Sequence, residues 1–178
     1  GIAFGFATTL VGSSAAAAGK WVAVDVPVPT IVFIQYVICL LVMIPWFASQ
    51  SLSSLRTKRF KTHLIRGTGG WLCFYSYYAA LDQIPLVDAT LLRNTAPLFV
   101  PIIALFWLSE KLTLLRWTPI ILGFIGIIFI LRPEGNGIEW GHLIGLASGF
   151  TLAISMVGTN TLSKTDSGKI ILFYYFAI

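Results

Sequence analysis

Apolar stretches the length of a membrane crossing recur along this chain, and charge bounds nearly all of them. A helix needs about 20 mostly apolar residues to cross about 30 Å of hydrocarbon. Six stretches meet or approach that length: residues Gly1–Gly19, Thr30–Ser49, Leu64–Leu81, Val87–Leu108, Leu114–Leu131 and Gly141–Leu162. Arg66 lies near one end of the third, where it can snorkel, and Arg116 lies at the edge of the fifth. A seventh stretch begins at Ile170 and stops at Ile178. Nine residues of helix reach only about 14 Å, and no Met or charged flank precedes span 1. We therefore expect a piece of a longer chain, cut after about six and a half spans. A soluble domain carries about 25% charged residues; this sequence has 11%, against 57% hydrophobic. The expected fold is all-α: a polytopic membrane helix bundle. A secretory signal ahead of a soluble domain does not fit, because apolar stretches recur throughout.

The few charges set the orientation. Loops facing the cytoplasm collect Lys and Arg. Arg56, Lys58, Arg59, Lys61 and Arg66 fall between spans 2 and 3, Lys111 and Arg116 between spans 4 and 5, and Lys164 and Lys169 after span 6. Those alternate loops hold nine of the 12 bases. Lys20 and Arg132 fall on the other side with Asp25, Asp82, Asp88, Glu134 and Glu139. Span 1 then runs outward, with the N-terminus cytoplasmic. The net charge of +5 does not point to nucleic acid, because the bases sit between apolar stretches. The segment Arg56–Arg66 has anionic lipid or nucleic acid as its alternative reading.

A shift of 140 residues aligns Gly1, Gly5, Ala7 and Thr8 with Gly141, Gly145, Ala147 and Ser148. The same shift aligns Thr30–Phe33 with Ile170–Phe173. A five-span unit has an odd number of crossings, so its second copy enters from the opposite side. Inverted repeats are characteristic of secondary transporters, with the solute site near the midplane. On this reading residues 1–133 form the first repeat and residue 134 begins the second, in a ten-span whole.

The run Ala79–Phe99, with its Ile-Pro turn and Pro97, resembles spans 3 and 4 of EamA-type members of the drug/metabolite transporter superfamily. Ser109–Thr113 is similar to that family's acidic-basic turn. Gly123–Gly126 with Leu131–Pro133 is similar to its span 5 and exit. The resemblance covers nearly the whole chain. It implies ten spans in two inverted repeats and transport of a small organic solute by alternating access in a bacterial inner membrane. Members handle amino acids, nucleotide-type metabolites, sugars and drugs, and some take up S-adenosylmethionine.

Arg93 is the one Lys, Arg, Asp or Glu well inside a span, about 9 Å along the helix from Val87. A charge there costs at least about 2.5–3.5 kcal/mol on insertion scales, so it usually faces a cavity or a partner. Its fork of donors suits a carboxylate or phosphate; snorkelling, or pairing with Asp88 or Asp82, is the alternative. Thr90, Arg93, Asn94, Pro97 and Pro101 recur at helical spacing. Pro97 removes the donor for the Arg93 carbonyl, which opens backbone polarity beside Arg93 or else marks a packing kink. Trp71, Tyr75, Tyr78 and Asp82 form a stripe on span 3. Its rings suit a planar or cationic solute, and also a core or an interfacial belt.

Gly141, Gly145, Gly149 and Ala153 form a ridge that admits a close backbone neighbour. Ser148, Thr151 and Ser155 are polar candidates beside it, as are Thr8, Thr9, Ser13 and Ser14 in span 1, although hydroxyls often bond to their own helix. Gln35 is a candidate donor between helices. Glu110 at the turn with Lys111 fits a helix cap. His63 and His142 lack metal-ligand company, and Cys39 and Cys73 fit packing. No metal or cofactor is expected. No Asp or Glu sits deep in any span, so a proton-relay carboxylate is not expected in this portion.

The expected partners are the lipid bilayer and a small-molecule solute, amino-acid-like or nucleoside-like, with no nucleic acid; a homodimer stays open. The leading expectation is a metabolite transporter, not an enzyme, with an exporter of the same superfamily as alternative. An intramembrane lipid-modifying enzyme needs a nucleophile or acid-base pair at membrane depth, and none is visible. A non-transporting scaffold has no use for inverted halves.

Overall fold

The structure is a computed structural model that describes residues 26–48, 57–108, 114–130 and 139–178, with residues 6, 10, 12–14, 17 and 18 of the first stretch. Most of span 1, including Thr8 and Thr9, lies outside the described residues, as do Arg56, Glu110, Lys111, Arg132 and Glu134. All regular structure among the described residues is helical. Among the described residues, from Val28 onward, the helices are α1 Val28–Ala48, α2 Phe60–Leu81, α3 Leu86–Arg93, α4 Ala96–Trp107, α5 Leu114–Ile130, α6 Trp140–Ser163 and α7 Gly168–Ala177. The molecule is a polytopic helical membrane bundle.

Three segments among the described residues are long and apolar enough to cross a membrane: Val28–Pro45, Leu86–Trp107 and Trp140–Ser163. The second of these comprises α3 and α4 together. The fourth stretch is thus a broken helix rather than one kinked rod. The break falls at Asn94 and Thr95. Pro97, the second residue of α4, has no N–H to continue the ladder. Instead the Thr95 hydroxyl donates to the Leu92 carbonyl at 2.6 Å, and the Leu98 N–H donates to the Thr95 carbonyl at 2.9 Å.

Helix α2 pairs most extensively with α6, and the two run antiparallel. At one end Arg59 donates to the Thr161 carbonyl at 3.3 Å. At the other, Gly141 lies against Gln83 and Ile84. Small residues make this closeness feasible. A side chain at Gly69 would press on the Thr151 carbonyl, one at Gly145 on Leu92, and one at Gly149 on the Leu92 carbonyl. The ridge Gly141–Ala153 thus seats α6 against α2, α3 and the break. Aromatic rings fill the remaining seam: Tyr36 of α1 meets Tyr175 at 5.3 Å and Phe176 at 5.6 Å. Helix α1 opens at Val28 and α7 at Gly168, 140 residues apart.

The base-rich ends of α2 and α7 meet in a clasp. His63 is 1% exposed, and its Nε2 lies 2.7 Å from Asp166 Oδ2. The Thr57 hydroxyl donates to the same oxygen at 2.7 Å, and the His63 ring packs on Tyr174 at 4.5 Å. Burial alone pushes the Asp166 carboxyl up, but the hydrogen bonds from His63 and Thr57 outweigh it and hold the carboxyl below its ordinary value of 3.8. A carboxyl lowered by folding stabilises the fold above its ordinary value, and that contribution is lost as pH falls through the lowered one. Asp166→Asn is therefore expected to cost about 1–3 kcal/mol at neutral pH. Thermal unfolding in detergent should show a lower midpoint and a smaller further loss on acidification than in the parent. Identical melting curves would mean the clasp contributes nothing.

Candidate functional site

The break in the fourth stretch leaves Arg93 as the last residue of α3, beside an interrupted backbone. Its guanidinium lies over two rings of α2, 4.9 Å from Phe74 and 5.0 Å from Tyr77. The Cys73 thiol is a further neighbour. The Nε of Arg93 is buried with no hydrogen-bond partner. Among the described residues no carboxylate pairs with it, neither Asp82 nor Asp88. Tyr77 is itself held in place, with its hydroxyl 3.1 Å from Thr90 Oγ1. Thr90 thus reaches the site through Tyr77.

Arg93 lines an open cavity of about 590 Å³ with Phe74, Met156, Asn160, Tyr175 and a second arginine, Arg66. That volume is in the range of small-molecule sites. Arg66 was expected to snorkel from the end of span 3. Instead α2 begins four residues earlier, at Phe60, and Arg66 turns into the bundle, 8% exposed. Its Nε donates to Thr159 Oγ1 at 2.7 Å, and its guanidinium lies 4.3 Å from the Tyr175 ring. Gly158 of α6 leaves room for its stem. The two arginines, both close to Tyr175, give the site its positive charge.

The other expected residues divide. Asn94 is exposed at the break, next to Arg93 but outside the cavity wall. Trp71 and Tyr75 stack on each other at 5.3 Å on the outer face of α2, 41% and 36% exposed. Trp71 also borders a second cavity of about 280 Å³ with Phe33, Tyr36 and Ile178. Tyr78 is in the core, and its hydroxyl donates to Gln35 Oε1 at 3.3 Å; Gln35 is therefore an acceptor between α1 and α2. The Ser148 hydroxyl donates to the Gly145 carbonyl at 2.6 Å. The Thr151 hydroxyl donates to the Ala147 carbonyl at 2.9 Å. Both bonds remain within α6. Ser155, by contrast, borders the cavity. The Ser14 hydroxyl likewise bonds its own helix, at the Leu10 carbonyl. Among the described residues no three His, Cys, Asp or Glu side chains gather as a metal site.

The family model for EamA-like transporters matches residues 1–132. The chain belongs to the EamA-like transporter family. Among its relatives, a riboflavin transporter of Vibrio cholerae is 30% identical over 83% of this chain and 50% of its own length. An S-adenosylmethionine uptake transporter of Rickettsia bellii is 25% identical, over 81% of this chain and 50% of its own. A pseudopaline exporter of Pseudomonas aeruginosa is 28% identical over 65% and 41%. The chain spans about half the length of the curated relatives it matches. No solved structure matches. Membership of a transporter family and the apolar helices together make this a multi-pass bacterial membrane protein, and not an enzyme.

Proposed function

We propose that the protein is a secondary transporter that moves a small organic metabolite across the bacterial inner membrane by alternating access. The observation that carries the reading is the broken helix α3–α4, which brings Arg93 to an open cavity of about 590 Å³. Interrupted backbone at membrane depth is tolerated where protein covers it or a wet cavity meets it. Transporters place substrate sites at such discontinuous helices. Arg93 holds an anionic part of the solute, and Phe74 and Tyr175 face its planar or apolar part.

The relatives named for S-adenosylmethionine and riboflavin support a nucleoside-like or flavin-like solute with a planar ring; an amino-acid-like solute satisfies Arg93 equally. Matching helix starts 140 residues apart support inverted repeats dividing near residue 133. The clasped base-rich ends support an N-terminus on the cytoplasmic side. A second reading, export, has one specific support, the relative named as a pseudopaline exporter. Radiolabelled uptake by cells expressing the natural gene tests the proposal across a panel of riboflavin, S-adenosylmethionine, nucleosides and amino acids. Accumulation of one member above empty-vector cells is the expected result, and loss of preloaded label would select export. Flux equal to empty-vector cells for the whole panel in both directions would overturn the reading.

A further inference from the structure

Arg66 and Arg93 reach one cavity from different helices, and among the described residues no negative charge pairs with either. Arg66 sits about 9 Å along α2 from Phe60. Its Nε is held by Thr159 Oγ1 at 2.7 Å, and one Nη donates to the Ile171 carbonyl at 3.4 Å. Those acceptors are neutral, and the guanidinium also lies over the Tyr175 ring. Arg93 meets two ring faces, and its Nε has no hydrogen-bond partner. Ring faces offset part of the charge, but a buried cation is normally paired with an anion. Two guanidinium groups also present more donors than these acceptors use, since each carries five N–H groups in a planar fork.

We propose that the cavity between Arg66 and Arg93 is an anion-binding site for a solute that carries a carboxylate or phosphate beside a planar ring. The oxygens bridge the two guanidinium groups, and the ring lies against Phe74 and Tyr175. The thioether of Met156, also on the wall, adapts to the ring's outline. Gly70 makes the arrangement sterically feasible, because a side chain there would collide with the Tyr175 ring that stacks on Arg66. The proposal rests on reading this cavity as the solute's path, and it adds the solute's charge and a second binding arm.

Two matched pairs of probes test it on the purified natural protein in detergent: 1-naphthyl phosphate against 1-naphthol, and 1-naphthoate against 1-naphthamide. Naphthyl fluorescence reads binding. In the parent at least one anion should bind about tenfold or more tightly than its neutral partner, and the pair that shows it names the anion. Arg66→Gln should bring that ratio close to one, while Arg66→Lys keeps part of it. The parent ratio and Arg66→Lys decide the matter even if Arg66→Gln fails to fold. Equal binding of charged and neutral partners, no binding of either anion, or a full preference surviving in a folded Arg66→Gln would each overturn the site. Metabolite flux without anion preference would overturn this proposal and leave transport standing; anion preference without flux would do the reverse.

Discussion

Arg93→Ala should lower solute uptake by roughly 10- to 100-fold while leaving the protein in the membrane at parental levels. The estimate follows from losing hydrogen bonds to a charged group, worth about 1.5–3 kcal/mol, at about 1.4 kcal/mol per decade. Assembly should survive because Arg93 carries no ion pair among the described residues and contacts Phe74 and Tyr77 only through ring faces. Removing an uncompensated cation from membrane depth even favours insertion. Arg93→Lys should recover only part of the flux, since a point charge does not reproduce a planar fork. Uptake of labelled solute, normalised to membrane-resident protein, is the measurement. Undiminished uptake by Arg93→Ala would remove this residue from the site.

Gly149→Leu should prevent assembly of the bundle. A single added carbon at Gly149 would lie 2.6 Å from the Leu92 carbonyl oxygen and 2.7 Å from the Thr95 hydroxyl. Those atoms belong to the break, and Thr95 Oγ1 already donates to Leu92 O. Backbone cannot yield there without dragging α3 away from α6. Overpacking of even a few methylenes costs about 1–3 kcal/mol, so Gly149→Ala should lower the thermal midpoint and Gly149→Leu should abolish the monodisperse peak in size-exclusion chromatography. The contrast is Gly126 of α5, where an added carbon meets nothing within 4 Å among the described residues; Gly126→Ala should be tolerated. Parental recovery of Gly149→Leu would mean that α6 does not seat on the break as described.

These two positions were both legible in the sequence. Arg93 is the one charge well inside span 4, where Asp88 lies at the outer end, and the four-residue ridge of α6 reads directly as a close-packing face. Arg66 was hidden for a physical reason. It follows Lys61 and His63 within the first two turns of α2, and charge at the end of a span reads as loop or snorkel. The signal that places it was available in the glycines. Gly70 and Cys73 are buried with Arg66 on one face of α2, whereas Trp71 and Tyr75 lie half-exposed on another. Small residues mark the face that approaches another backbone. Large rings at helical spacing fit a lipid-facing or partner-facing stripe as well as a cavity, and the sequence does not separate the two. Likewise Pro97 announced a disturbance in span 4. Whether the helix kinks or stops depends on Thr95 and Gly149, which lie far apart in the chain and meet only in the fold.

The acidic and basic residues carried more than topology. His63 and Asp166 were unremarkable in isolation, one in a basic loop and one in a short turn. Their contact ties the start of α2 to the α6–α7 connection. It also puts Lys58, Arg59, Lys61, Lys164 and Lys169 at one end of the bundle. That placement agrees with loops that share one side of the membrane, and it fixes the relative orientation of α2, α6 and α7 around the cavity.

Counterflow in proteoliposomes separates transport from mere binding. Vesicles containing the purified natural protein are loaded with unlabelled solute and diluted into a trace of the labelled solute. A transporter should give a transient accumulation of label above equilibrium. That overshoot should be absent from empty vesicles and strongly reduced with Arg93→Ala. No overshoot for any solute that binds the purified protein would contradict it.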